Sequence, residues 1–162
     1  MKNHRMLLSA CLVLLSAGMA TTALAQPILT VTHDAPGPIA CGTEVTFTVH
    51  YDPNDYTGEL FSYEMVASVD GTVLTLNPDG VTLLWPNSIP DPIYDGDQVA
   101  IDQASFGDYL AEPADLFTVT CTAAGTGDDA ELTLSDVSLR QPPNGDPIVG
   151  WTLDSDSVDV DC

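Results

Sequence analysis

Apolar residues alternate with polar ones at period two along most of this chain, and no stretch carries the spacing of an amphipathic helix. Val45, Phe47, Val49 and Tyr51 point one way, while Thr46, Thr48 and His50 point the other. Phe117, Val119, Cys121 and Ala123 stand against Thr118, Thr120 and Thr122 in the same manner, and Val158, Val160 and Cys162 against Asp159 and Asp161. Leu29 and Val31 begin a first strand. Leu132 and Leu134 share one parity but Val137 and Leu139 share the other, so a bulge near Ser135-Asp136 is needed to send both pairs to one core. Strands with one apolar and one polar face bury the apolar face by pairing two sheets.

Turn signals separate these runs: Asp34-Ala-Pro-Gly-Pro38, Asp52-Pro-Asn-Asp55, Asp70-Gly71, Asn77-Pro-Asp-Gly80, Gly125-Thr-Gly-Asp-Asp129 and Pro142-Pro-Asn-Gly-Asp-Pro147. Short strands with a turn about every ten residues predict an all-β fold, an antiparallel sandwich or barrel. The segment from Pro86 to Pro92 is too rich in proline for a central strand and reads as a surface loop. With 162 residues and no internal repeat or linker, residues 26–162 are expected to form one domain.

Residues 1–25 read as a secretory signal. Lys2 and Arg5 give the positive start, Met6 to Met19 the apolar run, and Ala23-Leu24-Ala25 the small-residue cleavage site, leaving Gln26 first. A retained anchor is the alternative, but the run of about 14 residues is shorter than the roughly 20 that a span needs. Leu8-Ser9-Ala10-Cys11 looks like a lipoprotein box, although the apolar run continues past it. No later stretch is long and apolar enough to cross a bilayer as a helix. The mature chain is therefore expected outside the cell or in its envelope.

After that cleavage Arg140 alone opposes 24 Asp and Glu, one positive charge against 24 negative, for a net charge of −23. Such a surface repels nucleic acid and anionic membranes and cannot clamp a phosphate. At 44 % hydrophobic the sequence is nevertheless too apolar for a disordered acidic tail. Acids on outward parities and in turns keep the faces solvated and discourage edge-to-edge pairing. Scarce lysine beside so many acids also resembles proteins of salt-rich surroundings, where cations screen the self-repulsion.

Export permits disulfides. Cys41, Cys121 and Cys162 remain, enough for one internal bridge with one thiol left over. Cys121 lies mid-strand on an apolar parity and reads as a buried small hydrophobe. Cys41–Cys162 is the preferred pair, closing a long loop and tying down the C-terminus. The three lack any CxxC spacing and any adjacent His, which argues against a metal site built on them.

The inventory for catalysis is thin. His33 and His50 sit on strand patterns, and no Gly-x-Ser-x-Gly is present, so the chain reads as a non-enzyme without a cofactor. Hard oxygen ligands in turns make Asp95, Asp97, Asp128 and Asp129 candidates for a structural Ca2+, although neither turn continues into an EF-hand loop with its terminal Glu. Trp85 shares the parity of Val81 and Leu83, and Trp151 that of Val149 and Leu153, placing both in the core. Tyr56 and Tyr94 lie in turn-rich segments and are the candidates for stacking on a glycan.

One block goes beyond pattern. Phe61-Ser-Tyr-Glu-Met-Val-Ala-Ser-Val-Asp70-Gly-Thr-Val-Leu74-Thr-Leu76 resembles the strand, Asp-Pro-x-x-Leu turn and strand of cohesin domains. Leu116 to Gly125 followed by Ala130 to Leu139 resembles that family's last core hairpin, with Asn144-Gly145 and the run from Ile148 to Cys162 as its closing turn and strand. Gly42-Thr-Glu-Val-Thr-Phe-Thr-Val49 is similar to the Gly-Asp-x-Val start of the second strand. Three features depart from the family: Gly71 where proline is usual, the cysteines, and an insertion around Asp52 to Glu59. The resemblance implies a jelly-roll sandwich of about nine strands. It also implies docking of dockerin modules from secreted polysaccharide-degrading enzymes on a flat sheet face. Rival roles are direct carbohydrate binding through exposed aromatics and a structural part in the cell envelope.

Overall fold

A computed structural model describes residues 26–85 and 90–162; residues 1–25, expected to be a secretory signal, and residues 86–89 of the expected Pro-rich loop lie outside the described residues. No helix forms among the described residues, which build thirteen extended segments. In chain order they are β1 (Ile28–His33), β2 (Ile39–Ala40), β3 (Glu44–Asp52), β4 (Ser62–Ser68), β5 (Leu74–Leu83), β6 (Ile93–Asp95) and β7 (Gln98–Ala104). Then follow β8 (Ala114–Ala123), β9 (Gly127–Glu131), β10 (Thr133–Gln141), β11 (Asp146–Pro147), β12 (Thr152–Ser155) and β13 (Ser157–Asp161).

One five-stranded sheet has the order β12-β1-β3-β8-β5, a second has β11-β10-β4-β7-β6, and β2-β13-β9 form a smaller third. The fold is an all-β sandwich. Pairing is antiparallel apart from β1 with β12 and β13 with β2, short parallel additions at the margins. The count exceeds the expected nine because very short pieces such as β2 and β11 stand as separate strands, and because the last run breaks at Asp156 into β12 and β13.

Alternation places the core as the sequence predicts. Val45, Phe47, Val49 and Tyr51 of β3 and Phe117, Val119, Cys121 and Ala123 of β8 are all buried, as are Tyr63, Met65 and Ala67 of β4. These side chains belong to one continuous core shared by the sheets. The bulge in β10 falls where parity demands it: pairing with β4 slips between Ser135 and Ser138, and Asp136 takes a left-handed φ of 51°. The slip lets both Leu134 and Leu139 face inward.

Two expectations are corrected. Asn77-Pro-Asp-Gly80 does not separate two strands; it loops out of β5, which pairs with β8 on both sides of it, Leu76 with Cys121 and Val81 with Val119. The loop is held by side chains, since the Thr122 hydroxyl donates to Asn77 Oδ1 at 2.6 Å and Asn77 Nδ2 donates to Glu44 at 2.7 Å. The parity of the last run holds only in part: Trp151 packs half-buried against the core, but Val149 is 78 % exposed and Leu153 39 %. The strand β12 sits at a sheet margin with every residue exposed, so no opposing layer rewards its alternation.

The turn between β4 and β5 is built on Asp70. Its carboxylate accepts the Thr72 N–H at 2.9 Å and the Thr72 hydroxyl at 2.7 Å, while its carbonyl accepts the N–H groups of Val73 and Leu74. This single turn drops Leu74 into the core. The Asp97 carboxylate leans over the open Cα of Gly71. Hydrogen bonds from Thr72 hold the Asp70 carboxyl below its ordinary value of 3.8. A lowered carboxyl contributes stability above its unfolded pKa and loses it as pH falls through the folded one. Asp70→Asn is therefore expected to melt below wild type near neutrality, and the gap should close on acidification below pH 3.8, read by thermal melts across pH.

Candidate functional site

The sandwich presents two broad outer faces of different chemistry. On the first sheet, Thr32, Thr48, Thr118 and Thr82 align across four strands, with Thr46 beside Thr120, so that this face is short, polar and mostly uncharged. On the second sheet, the register sets Ser135 of β10, Val66 of β4, Ala100 of β7 and Ile93 of β6 in one row. Val66, Ala100 and Ile93 make an apolar stripe, and Ile93 is 66 % exposed. The next row is Ser138, Glu64 and Asp102, and the row on the other side is Ser68, Gln98 and Asp95. Glu64 and Asp102 thus border the stripe on one side, and Asp95 stands at one end of the other. Pro90, Asp91 and Asp136 rise at its margins and turn it into an open groove of about 400 Å³. Such a face, apolar in the middle and charged at the rim, is the anatomy of a protein-docking surface.

Among the described residues, the chemistry-bearing side chains are not gathered into a reaction centre. His33 Nε2 lies 2.9 Å from the Ser157 carbonyl and 3.5 Å from Asp156, clamping β1 to the crossover between β12 and β13. His50 pairs with Asp115 at 2.8 Å on the first sheet's outer face. Neither imidazole hydrogen-bonds a serine hydroxyl among the described residues. Asp95 and Asp97 flank the tight β6–β7 turn, where Gly96 takes a φ of 62° and Asp97 leans over Gly71. Asp128 and Asp129 lie on β9, where Asp129 accepts the Ser157 hydroxyl at 3.2 Å. The two acidic pairs stand on different sheets, and no cluster of three or more His, Cys, Asp or Glu forms among the described residues.

Cys41 and Cys162 are joined in a disulfide, with their Cα atoms 4.9 Å apart. Cys121 is free and buried, and burial pushes its thiol up to about 12. Of the two candidate stacking residues, Tyr94 packs half-buried against the core and its hydroxyl accepts the Val81 N–H at 2.9 Å, covering a donor left open by the β5 loop-out. Tyr56 is also half-buried and donates to Gln141 Oε1 at 2.5 Å. They line separate concavities and form no shared platform.

No family model matches this sequence and no curated protein matches it. Solved structures do. A non-cellulosomal cohesin from the hyperthermophilic archaeon Archaeoglobus fulgidus aligns with a TM-score of 0.64 at 17 % identity, covering 85 % of this chain and 93 % of that one. The cohesin module of a family 33 glycoside hydrolase from Clostridium perfringens gives 0.63 at 16 % identity, covering 84 % and 98 %. A chain of a cohesin–dockerin complex crystallised at pH 5.5 gives 0.61 at 14 % identity, covering 84 % and 100 %. The fold is that of a cohesin. Within this cohesin fold, the stripe residues escape pattern reasoning because they occupy the solvent parity. A signal for them exists: Met65-Val66-Ala67 and Val99-Ala100-Ile101 are unbroken apolar runs in strands that elsewhere alternate.

Proposed function

We propose that this protein is an exported, non-catalytic docking module whose partner carries a dockerin-like module, in a setting of extracellular polysaccharide use. The observation that carries the reading is the Val66–Ala100–Ile93 stripe, bordered by Glu64 and Asp102 on one side and by Asp95 on the other. An uncovered apolar row on the solvent face of a sheet gains by burial against a partner, at about 25 cal/mol per Å² of apolar surface removed from water. The acidic rims select a partner that brings cationic side chains around an apolar anchor, and they raise its association rate at low salt. The secretory pattern of residues 1–25 and the sequence resemblance support the location and the setting.

The test is affinity capture from the producer's exported proteins, with the retained chains identified by mass spectrometry. Wild type is expected to hold a protein bearing a dockerin-type module. Val66→Asp, which sets a carboxylate in the middle of the stripe, should weaken that complex at least 30-fold, on the order of 2 kcal/mol. Equal capture by Val66→Asp, or retention of glycans alone, would overturn the assignment.

A further inference from the structure

The insertion between β3 and β4, foreign to the family pattern, builds a second concavity away from the docking stripe. It has a volume of about 400 Å³ and is lined by Gln26, Asp55, Tyr56, Gln141, Ile148 and Val149 among others. Asn54 and Asp55 hold consecutive left-handed φ angles of 43° and 62°, a strained arrangement for residues with a Cβ. The strain is fixed locally, since Asn54 N–H donates to Asp52 Oδ1 at 2.8 Å and Tyr56 N–H to the Pro53 carbonyl at 2.8 Å. Its result is to present the Asp55 carboxylate at the pocket.

The opposite wall is amide. Tyr56 occupies Gln141 Oε1, which leaves the Gln141 Nε2 group as a donor. Gln26 packs its own amide against Gly150, where any side chain would collide with it and where φ is 80°. Apolar surface from Ile148 and Val149 completes the lining. Amides that donate and accept, a carboxylate that accepts, and an apolar wall match the alternating hydroxyl edge and C–H face of a sugar ring. A chain of net charge −21 repels an anionic sugar from the same place.

Aromatic rings gather near the turn that follows Gln141. Phe61 meets Phe106 edge-on at 6.5 Å and Tyr109 at 6.0 Å, and Phe106 is 73 % exposed. Phe61 also reaches the Gly145 turn, whose N–H donates to the Gln141 carbonyl at 3.0 Å. Rings and pocket therefore share one end of the molecule.

We propose that this loop end is a binding site for a neutral glycan, with one sugar unit in the Asp55–Tyr56–Gln141 pocket and its neighbour against Phe106 and Tyr109. The site is independent of the docking stripe and stands or falls apart from it. Titration calorimetry of the purified protein with cellohexaose, xylohexaose, mannohexaose and, as an anionic control, a galacturonan oligomer tests it. Saturable binding to at least one neutral oligomer and none to the control is expected. Asp55→Gly should weaken that binding about tenfold while the melting temperature stays level or rises, because glycine takes the left-handed conformation freely. Gln141→Leu should weaken it similarly, and Val66→Asp should leave it unchanged. Absence of heat with every neutral oligomer at millimolar concentration, or equal affinity in Asp55→Gly, would overturn the proposal.

Discussion

Replacing both Cys41 and Cys162 by serine is expected to lower the unfolding free energy by about 4–5 kcal/mol and the melting temperature by roughly 10–15 °C. The bridged residues are 121 positions apart, so the covalent link removes one of the largest loops the unfolded chain could sample. The folded side of the balance is already prepared. Strands β2 and β13 pair in parallel with Val160 opposite Ile39 and Asp161 opposite Ala40, which carries the next residues, Cys162 and Cys41, into register. Without the bridge the two-residue strand β2 and the end of β13 must hold each other by backbone bonds, and β13 also supplies Val158 and Val160 to the core. Calorimetric melts of wild type and the double serine variant measure the loss, and hydrogen exchange should show β13 opening first. A variant melting within a degree or two of wild type would mean that strand register alone secures β13. Cys121 does not interfere, because its thiol is buried and held protonated by that burial.

The alternation of β3 and β8 was legible because both strands lie mid-sheet with a partner layer on one side, the condition under which period two maps onto burial. The β10 bulge was legible for the same reason: two leucine pairs of opposite parity cannot reach one core without a slipped residue. Where that condition lapses, so does the pattern. The strand β12 is marginal and exposed, so of Val149, Trp151 and Leu153 only Trp151 packs against the core. The loop-out at Asn77 to Gly80 has all the marks of a strand-ending turn, and only pairing with β8 on both sides reveals one strand. The two binding surfaces were less legible still. The docking stripe is assembled from single residues on β4, β6 and β7, and the glycan pocket joins the inserted loop to β10 and to the segment after β11. Their assembly is a product of long-range contacts; local spacing shows only the unbroken apolar runs of β4 and β7 and the turn-rich setting of Tyr56.

The second large effect is expected at Tyr63, where Tyr63→Ala should cost about 3–5 kcal/mol in chemical denaturation. Tyr63 comes from β4 in one sheet and packs between Trp85, at 5.8 Å and 13° between ring planes, and Phe117 of β8 in the other, at 6.0 Å and 19°. Its hydroxyl donates to the Leu116 carbonyl at 3.3 Å, and burial raises its pKa well above the ordinary tyrosine value. The ring therefore joins the two layers, and truncation leaves a cavity between stacked aromatics that rigid strands cannot close. Tyr63→Phe keeps the stack and loses only one long hydrogen bond, so about 1 kcal/mol is expected there. The pair of variants also separates stability from recognition. Glu64 and Val66 flank Met65 on the opposite face of the same strand, so their positions in the docking stripe depend on β4 being seated. Tyr63→Phe should dock as wild type, while Tyr63→Ala should weaken docking although the stripe itself is untouched. Full docking by a destabilised Tyr63→Ala would show that the stripe holds its geometry through strand pairing alone, without the stacked rings beneath it.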